Sequence, residues 1–156
     1  MLEIYTVSFF GHREIDHYFD LEEQVENLIR ELLSTKEYVE FLIGRSGEFD
    51  QLVSTTIRRV KKIFRDDNCC HILVLPYDTA EYRNNRDSFE EYYDQIDICQ
   101  EASSAHFKAA IQKRNRAMVD RSDLTVFYIE RKYGGAYQTY QYAVKQEKSV
   151  IKLKTE

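Results

Sequence analysis

Short segments rich in β-branched and aromatic residues alternate along this chain with segments whose apolar residues recur at helical spacing. Several of the short segments are apolar along their whole length, which is typical of strands buried on both faces of a parallel sheet. Strands are expected at residues 4–10, 38–43, 71–75, 124–129 and 149–153. The alternation predicts an α/β fold: a doubly wound, mostly parallel sheet with helices on both faces, in a Rossmann-like three-layer sandwich.

Amphipathic helices are expected between these strands. Asp20 and Glu23 have the spacing of a capping box at the start of the first helix. The irregular 77–105 segment is predicted to contain a helix over 87–95 and a short strand over 96–99, and its pattern indicates no role. The apolar stripes of the later helices are Phe49, Leu52, Val53, Ile57, Val60 and Phe64, then Phe107, Ala110, Ile111 and Met118, then Ala136, Tyr140, Ala143 and Val144.

Length and composition limit the classes of protein to which this chain can belong. Its 156 residues, 43% of them hydrophobic, suit a single domain over residues 1–156. No apolar run approaches the roughly 20 residues of a membrane span. The start of the chain has no secretory signal, and the three cysteines are an odd number, so we expect a cytoplasmic protein. The net charge of -5 disfavours nucleic acid as a partner, although local basic patches stay open.

The chain has only five glycines, and all of them fall at the ends of three predicted strands. In open parallel sheets, ligands bind beyond the carboxyl ends of the strands. Glycine at those ends lets the backbone and a helix N-terminus approach a phosphate. Each glycine taken alone is also explained by a tight turn. Their shared position nevertheless predicts a phosphate-facing edge formed by Gly11, Gly44, Gly47, Gly134 and Gly135.

Arg114 is the most informative single residue. It lies on the apolar stripe of the helix predicted over 106–121, so its cation faces the core side and needs a partner. That partner is either a protein carboxylate or an anionic ligand, and the sequence leaves both open. The planar guanidinium suits bidentate recognition of a phosphate. Asn115 and Arg116 follow it and add further polar groups.

Three motifs resemble the Smf/DprA–LOG superfamily of Rossmann-like nucleotide-binding proteins. The first is Gly11-His12-Arg13 after the first strand, and the second is Gly44-Arg45-Ser46-Gly47-Glu48-Phe49-Asp50 after the second strand. The third runs from Lys113 to Asp123 and continues, after a strand, with Gly134-Gly135-Ala136-Tyr137-Gln138-Thr139. Within the superfamily the chain most resembles the YpsA-like proteins of Gram-positive bacteria, and the similarity spans nearly its whole length.

The resemblance implies the binding or sensing of a nucleotide- or NAD-derived small ligand in a crevice at the C-terminal edge of the sheet. It puts the phosphate on the Gly134-Gly135 loop and the Thr139 hydroxyl, with Arg114 and Arg116 assisting. Relatives that dimerise also imply a homodimer. The remaining residues of the implied ligand site are Gly11, His12, Arg13, Gly44, Gly47, Asp50 and Asn115.

Catalysis is a separate question. Superfamily members that hydrolyse the N-glycosidic bond of nucleotides use a Gly-Gly-x-Gly-Thr-x-x-Glu motif. This chain lacks the third glycine and has Tyr142 where the glutamate would fall. Such chemistry requires a carboxylate, and Glu48 and Asp50 are the candidates to supply it, although Asp50 also suits a ribose hydroxyl or a helix cap. An N-glycosidase acting on a nucleotide is therefore the alternative function. A binder of single-stranded nucleic acid through the basic residues of 113–116 is the third.

No metal or certain cofactor is predicted. The histidines have no metal-ligand spacing, and the adjacent cysteines form no zinc motif. His12 is expected to contact a ligand because it follows the first strand. His17, His71 and His106 are expected to be structural.

Overall fold

The computed structural model describes residues 1–155, apart from the side chain at position 108, and shows a sheet of six strands. The strands are β1 (Ile4–Gly11), β2 (Tyr38–Ile43), β3 (Cys69–Leu75), β4 (Gln95–Ile98), β5 (Leu124–Tyr128) and β6 (Ser149–Lys152). Their order across the sheet is β4-β3-β2-β1-β5-β6, and every neighbouring pair is parallel. The predicted α/β class is confirmed, with a sheet that is parallel throughout.

Helices cover both faces of this sheet. They are α1 (Tyr18–Thr35), α2 (Glu48–Ile63), α3 (Ala80–Asn84), α4 (Arg86–Tyr92), α5 (Gln100–Ser103), α6 (Phe107–Arg121) and α7 (Gly135–Lys145). One apolar core joins the sheet to α1 and α2 and includes Phe9 of β1. A second core joins the other face to α6 and α7 and includes Phe10, the next residue. Neighbouring residues of β1 thus pack into the cores on opposite faces of the sheet, as expected of a strand buried on both faces. No helix of the described residues is long and apolar enough to cross a membrane.

The local structure corrects several sequence-based predictions. The capping box of Asp20 and Glu23 is wrong, because α1 begins earlier and its N-cap is His17, in the left-handed conformation with φ of 58°. Asp20 lies inside the first turn, where its carboxylate accepts a hydrogen bond from Gln24 Nε2 at 3.1 Å. Three residues of the predicted inward stripes are exposed because they lie at or near the ends of their helices, beyond the sheet: Phe64, Phe107 and Val144.

The strand order creates a switch point between β1 and β5. On one side of β1 lie β2, β3 and β4 in chain order, and on its other side lie β5 and β6. Gly11 at the end of β1 is in register with Tyr128 at the end of β5. Because the connections leave these two strands in opposite directions, a crevice opens beyond their carboxyl ends.

The two edges of the sheet are its shortest strands. β4 and β6 have four residues each. In β4, Asp97 accepts a hydrogen bond from Arg121 of α6 at 2.9 Å. In β6, the ammonium group of Lys152 lies over the ring of Tyr140, 5.5 Å from its centroid. Charged side chains on both edges thus reach back to the neighbouring helices.

Candidate ligand-binding site

A crevice of about 440 Å³ lies at this switch point. The end of β1, the loop after β2, the middle of α6 and the loop before α7 form its walls. Most of the residues that the sequence predicts as ligand-binding come together here. Those that line the crevice are Gly11, His12, Arg13, Gly44, Asp50, Arg114, Asn115, Gly134 and Gly135.

Arg114 lies in the wall of the crevice with only 3% of its surface exposed. Its Nη1 donates to the Val74 carbonyl oxygen at 2.9 Å, and its Nη2 to Ser46 Oγ at 3.3 Å. Its Nε donates to Asn115 Oδ1 at 3.0 Å. Among the described residues, no carboxylate lies within ion-pairing distance of this guanidinium. Of the two partners that the sequence leaves open, the protein carboxylate is therefore not in direct contact.

Asp50 is the acidic residue whose charge acts on Arg114 across the crevice. Its Oδ2 accepts a hydrogen bond from the backbone N–H of Ser46 at 2.8 Å. Burial raises the pKa of Asp50, although this hydrogen bond and the charges of Arg114 and Arg13 oppose the rise. Burial likewise lowers the pKa of Arg114, and the charge of Asp50 opposes that change. The site thus holds a carboxyl group that takes up a proton more readily than an ordinary aspartate does.

Two of the glycines that line the crevice permit close approaches that a side chain would block. A Cβ at Gly44 would lie 2.9 Å from Nη1 and 3.0 Å from Nη2 of Arg114. A Cβ at Gly11 would lie 2.4 Å from the ring of Phe49 in α2. Gly44 therefore makes room for the guanidinium, and Gly11 lets α2 pack against the end of β1. These contacts explain why glycine is needed at both positions, independently of any ligand.

Helix α7 begins at the crevice. Gly134 is its N-cap, with φ of 94°, and a Cβ there would meet no atom within 4 Å. The helix N-terminus is therefore open on this side, and its N–H groups and dipole favour an anion.

Thr139, one turn later, is fully buried. Its hydroxyl donates to the Gly135 carbonyl oxygen at 2.9 Å and accepts from Asn115 Nδ2 at 3.2 Å. Thr139 thus lies behind the crevice wall, where it holds the side chain of Asn115.

His12 is buried beside the loop that joins β5 to α7, residues 129–134, which we call the 129–134 loop. Its Nε2 accepts hydrogen bonds from the backbone N–H groups of Glu130 at 3.0 Å and Arg131 at 3.3 Å. Its ring stacks edge-on against Tyr128, with centroids 5.5 Å apart. Burial and the charge of Arg131 lower the pKa of His12, whereas Glu130 opposes this change. The two hydrogen bonds require a lone pair on Nε2, which only the neutral imidazole has.

The other predicted site residues do not line the crevice. Arg116 is exposed, and its guanidinium carbon lies 5.1 Å from the centroid of the Tyr142 ring. It lies two positions after Arg114, which turns it to roughly the opposite side of α6. Glu48 is exposed and accepts a hydrogen bond from the Ile15 N–H at 3.3 Å. Gly47 packs against the backbone of Arg13. Tyr142, which stands where a hydrolase would have its glutamate, does not line the crevice either, and its hydroxyl donates a hydrogen bond to Asp120 at 2.7 Å.

Sequence reasoning missed three polar residues of the crevice: Glu14, Ser46 and Arg131. Glu14 and Ser46 lie in the glycine loops after β1 and β2, so taking each loop as a whole would have found them. Arg131 lies between β5 and the Gly134-Gly135 pair, in a segment without periodicity. The sequence indicates Arg131 only by its position soon after β5, a strand whose carboxyl end lies at the predicted ligand-binding edge of the sheet.

The crevice is locally positive although the chain is acidic. The charged residues that line it are Arg13, Arg114 and Arg131 against Glu14 and Asp50, which sums to +1. The whole chain has a formal net charge of -5. Within residues 1–155, no group of three or more His, Cys, Asp or Glu is arranged to hold a metal ion.

Comparison of this chain with protein-family models finds no match, and a search of curated proteins finds no match either. Solved structures with the same architecture do exist. DNA processing protein A from Helicobacter pylori, described by its single-stranded DNA binding mode, matches with a TM-score of 0.69, 19% identity and 97% of this chain covered. DNA processing protein A (DprA) from Streptococcus pneumoniae matches with a TM-score of 0.68, 14% identity and 98% coverage.

The chain has the same Rossmann-like α/β fold as DNA processing protein A. TM1055, a structural genomics target, also matches, with a TM-score of 0.58, 15% identity, and coverage of 94% of this chain and 72% of that one. This chain spans 66% of the H. pylori protein and 51% of the S. pneumoniae protein. The Rossmann-like fold that the resemblance implies is thus confirmed, whereas membership of the superfamily and of its YpsA-like branch stays a prediction.

The comparison also corrects one expectation. From the net charge of -5, nucleic acid is not expected as a partner, and that inference is wrong. The H. pylori protein, whose fold matches nearly all of this chain, binds single-stranded DNA. Net charge averages over the whole surface, whereas binding depends on the charges of the surface in contact with the nucleic acid.

Proposed function

We propose that this chain binds a nucleotide- or NAD-derived small ligand, with a phosphate group in the crevice beside Arg114. The proposal rests above all on the buried guanidinium, which has no ion-pairing carboxylate among the described residues. Burying a charge costs several kcal/mol unless a partner compensates it. Because burial disfavours the charged form of Arg114, an anion in the crevice would stabilise it.

The hydrogen-bonding capacity of Arg114 supports the same ligand class. A guanidinium has five N–H groups, and three of them make the bonds to Val74, Asn115 and Ser46 in the described part of the chain. Two remain, one on each Nη atom, which suits the paired oxygens of a phosphate. The volume of about 440 Å³ lies within the range of about 300–1,000 Å³ that is usual for small-molecule sites. The open N-terminus of α7 offers further N–H donors.

Thermal-shift and calorimetric titrations with AMP, ADP-ribose and NAD test this proposal. We expect at least one of them to raise the melting temperature, and Arg114→Lys to weaken its binding about tenfold or more, since lysine cannot form the bidentate fork. Arg116→Lys is the matched control, because it makes the same change on the outer side of α6 and should leave affinity unchanged. Absence of a shift with all three ligands would refute the proposal.

An N-glycosidase is a second candidate, favoured by the position of Asp50. Its carboxyl group lines the crevice, and burial raises its pKa, which suits a group that must give and take a proton. Release of free base from AMP, lost in Asp50→Asn and kept in Glu48→Gln, would establish this activity. Binding without release in the wild-type protein would exclude it for that substrate.

Binding of single-stranded nucleic acid is a further candidate, favoured by the aromatic residues at the C-terminal edge of the sheet. Unpaired bases stack on such rings, each contributing about 1–3 kcal/mol. Helices α1 and α6 begin at this edge, as does the 129–134 loop. The aromatic residues that are exposed there are Tyr18, Phe19, Tyr77, Phe107 and Tyr133.

Fluorescence anisotropy with a labelled oligothymidine tests this candidate. We expect Phe107→Ala combined with Tyr133→Ala to weaken binding at least tenfold. Phe64→Ala is the control, because Phe64 is also exposed but follows the last turn of α2, at the opposite edge of the sheet. Equal losses in the control and the double variant would show that the aromatic residues of the crevice edge have no particular role.

A further inference from the structure

We propose that His12 is a positioning residue: its neutral imidazole anchors the 129–134 loop and thereby keeps Arg131 at the crevice. The sequence predicts His12 as a ligand contact. In the structure, Nε2 of His12 instead accepts hydrogen bonds from the backbone N–H groups of Glu130 and Arg131. A backbone N–H can only donate, so Nε2 must carry a lone pair and the ring proton must lie on Nδ1.

The two hydrogen bonds fix the part of the loop that carries a cation of the site. The side chain of Arg131 lines the crevice together with Arg13 and Arg114. It is exposed, and its guanidinium carbon lies 5.5 Å from the centroid of the exposed Tyr133 ring. Backbone anchoring by His12 therefore restrains residues 130 and 131, next to Ile129, which is buried in the second core.

Protonation of His12 would reverse this interaction. An imidazolium has no lone pair on Nε2, so both N–H groups would lose their acceptor and face a donor. The charged and titratable groups around His12 are Arg131, which disfavours the imidazolium, Glu130, which favours it, and the phenol of Tyr128. The Tyr128 hydroxyl also accepts from the Asp16 N–H at 3.3 Å, so it belongs to the same loop contacts. Acidification should therefore release the loop and move Arg131.

A histidine at an anion site can contact the anion or anchor a loop, and the two roles change the affinity for the anion in opposite directions as the pH falls. If His12 contacted the anion, protonation would add a positive charge and strengthen binding as the pH falls. If His12 anchors the loop, its charge replaces that of Arg131 at the crevice, and binding weakens because Nε2 of His12 faces the loop and not the anion. The consequence for anion binding rests on the proposed function, whereas the anchoring of the loop does not.

Hydrogen exchange of individual amides, followed by NMR, tests the anchor without any ligand. In His12→Ala we expect the amides of Glu130 and Arg131 to exchange at least tenfold faster than in the wild-type protein. His12→Gln places an amide oxygen near the position of Nε2 and should restore part of the protection. The amide of Asp123, which donates to Thr6 O at 2.8 Å at the other end of β5, is the internal control. Unchanged exchange at 130 and 131 in His12→Ala would overturn the proposal.

Two measurements that leave His12 in place keep the proposal testable if His12→Ala does not fold. Long-range ¹H–¹⁵N spectra of the wild-type protein at pH 7.5 should show His12 as the neutral tautomer with its proton on Nδ1, and a proton on Nε2 would overturn the proposal. Inorganic sulfate, which keeps its charge over this range, should bind to Asp50→Asn at least fivefold more weakly at pH 5 than at pH 7.5. This variant removes the carboxyl of the crevice whose own protonation would strengthen anion binding as the pH falls. Stronger binding at pH 5 in Asp50→Asn would overturn the proposal. Failure of sulfate and nucleotides to bind at any pH would refute the proposed function and leave the exchange test intact.

Discussion

Gly44 and Arg114 share one small volume at the base of the crevice: a Cβ on residue 44 would lie 3.1 Å from the guanidinium carbon and 2.9 Å from Nη1 of Arg114. The guanidinium cannot retreat easily, because it is held by Val74 and Asn115 in a buried position. The absence of a side chain at position 44 therefore determines where the positive charge of the site lies.

Gly44→Ala should lower the affinity for the nucleotide probes about tenfold or more, because the added methyl group displaces the guanidinium from its place in the crevice wall. A tenfold change corresponds to about 1.4 kcal/mol. Calorimetric titration with AMP and ADP-ribose measures the effect. Thermal unfolding of Gly44→Ala shows whether the variant keeps its fold. Unchanged affinity in Gly44→Ala would show that the position of Arg114 does not matter for binding.

Gly11→Ala should destabilise the fold itself. Its Cβ would lie 2.4 Å from the Phe49 ring, and overpacking of this kind costs about 1–3 kcal/mol. For a chain of this length that loss lowers the melting temperature by roughly 2–4 °C for each kcal/mol. Thermal unfolding measures the change. Combining Gly11→Ala with Phe49→Leu should recover part of the loss. If the double variant is instead destabilised by the full sum of the two single losses, the packing explanation is contradicted.

Asp50→Asn should raise the melting temperature at pH 7. Burial raises the pKa of Asp50, so the charged carboxylate is disfavoured in the folded chain and weakens it wherever the group is ionised. Asparagine removes that charge, and its side-chain oxygen can still accept the hydrogen bond from the Ser46 N–H. The advantage of the variant should shrink as the pH falls and vanish below the usual pKa of an aspartate. A variant that is less stable than the wild-type protein at pH 7 would contradict this account.

His71 should make the protein labile to acid. Burial lowers the pKa of His71 to about 4. Its Nε2 is bonded to Ser54 Oγ at 2.9 Å, and its buried Nδ1 has no hydrogen-bond partner among the described residues. The unfolded chain takes up the proton near pH 6.5, so stability present above that pH is lost as the pH falls towards 4. Between pH 7.5 and 5 this loss amounts to roughly 2 kcal/mol.

Denaturant unfolding of His71→Gln measures that contribution. The stability of the variant should fall by roughly 2 kcal/mol less between pH 7.5 and 5 than that of the wild-type protein. His17→Asn replaces an exposed histidine by a residue that tolerates the left-handed conformation of position 17, and it should keep the wild-type pH dependence. If both variants respond alike, the acid lability does not come from His71.

The sheet was predictable because its determinants are local. β2 extends over residues 38–43 as expected, since an apolar β-branched run followed by a glycine specifies a buried strand without help from the rest of the chain. The convergence of Gly11, Gly44 and Gly134 at one crevice followed from parallel strands, whose carboxyl ends share an edge.

The features that sequence reasoning missed depend on contacts between distant segments. His17 caps α1 in a conformation that no propensity indicates, so the capping box was placed too late in the chain. The bond from the Glu130 N–H to His12 joins residues 118 positions apart, and only the pairing of β1 with β5 brings them together. The burial of Thr139 behind the crevice wall follows from the rotation of α7 about its axis, which a motif does not specify.

The four-residue strands at the two edges of the sheet bear on how this chain can contact other molecules. A foreign strand adds to a sheet by forming a row of backbone hydrogen bonds, and β4 and β6 offer it very little length. Short, charged edges are a common protection against such pairing. Strand addition to this sheet is therefore disfavoured, and the loops and helix surfaces are better suited to contact other molecules, because single side chains there can be exchanged without disturbing the strands.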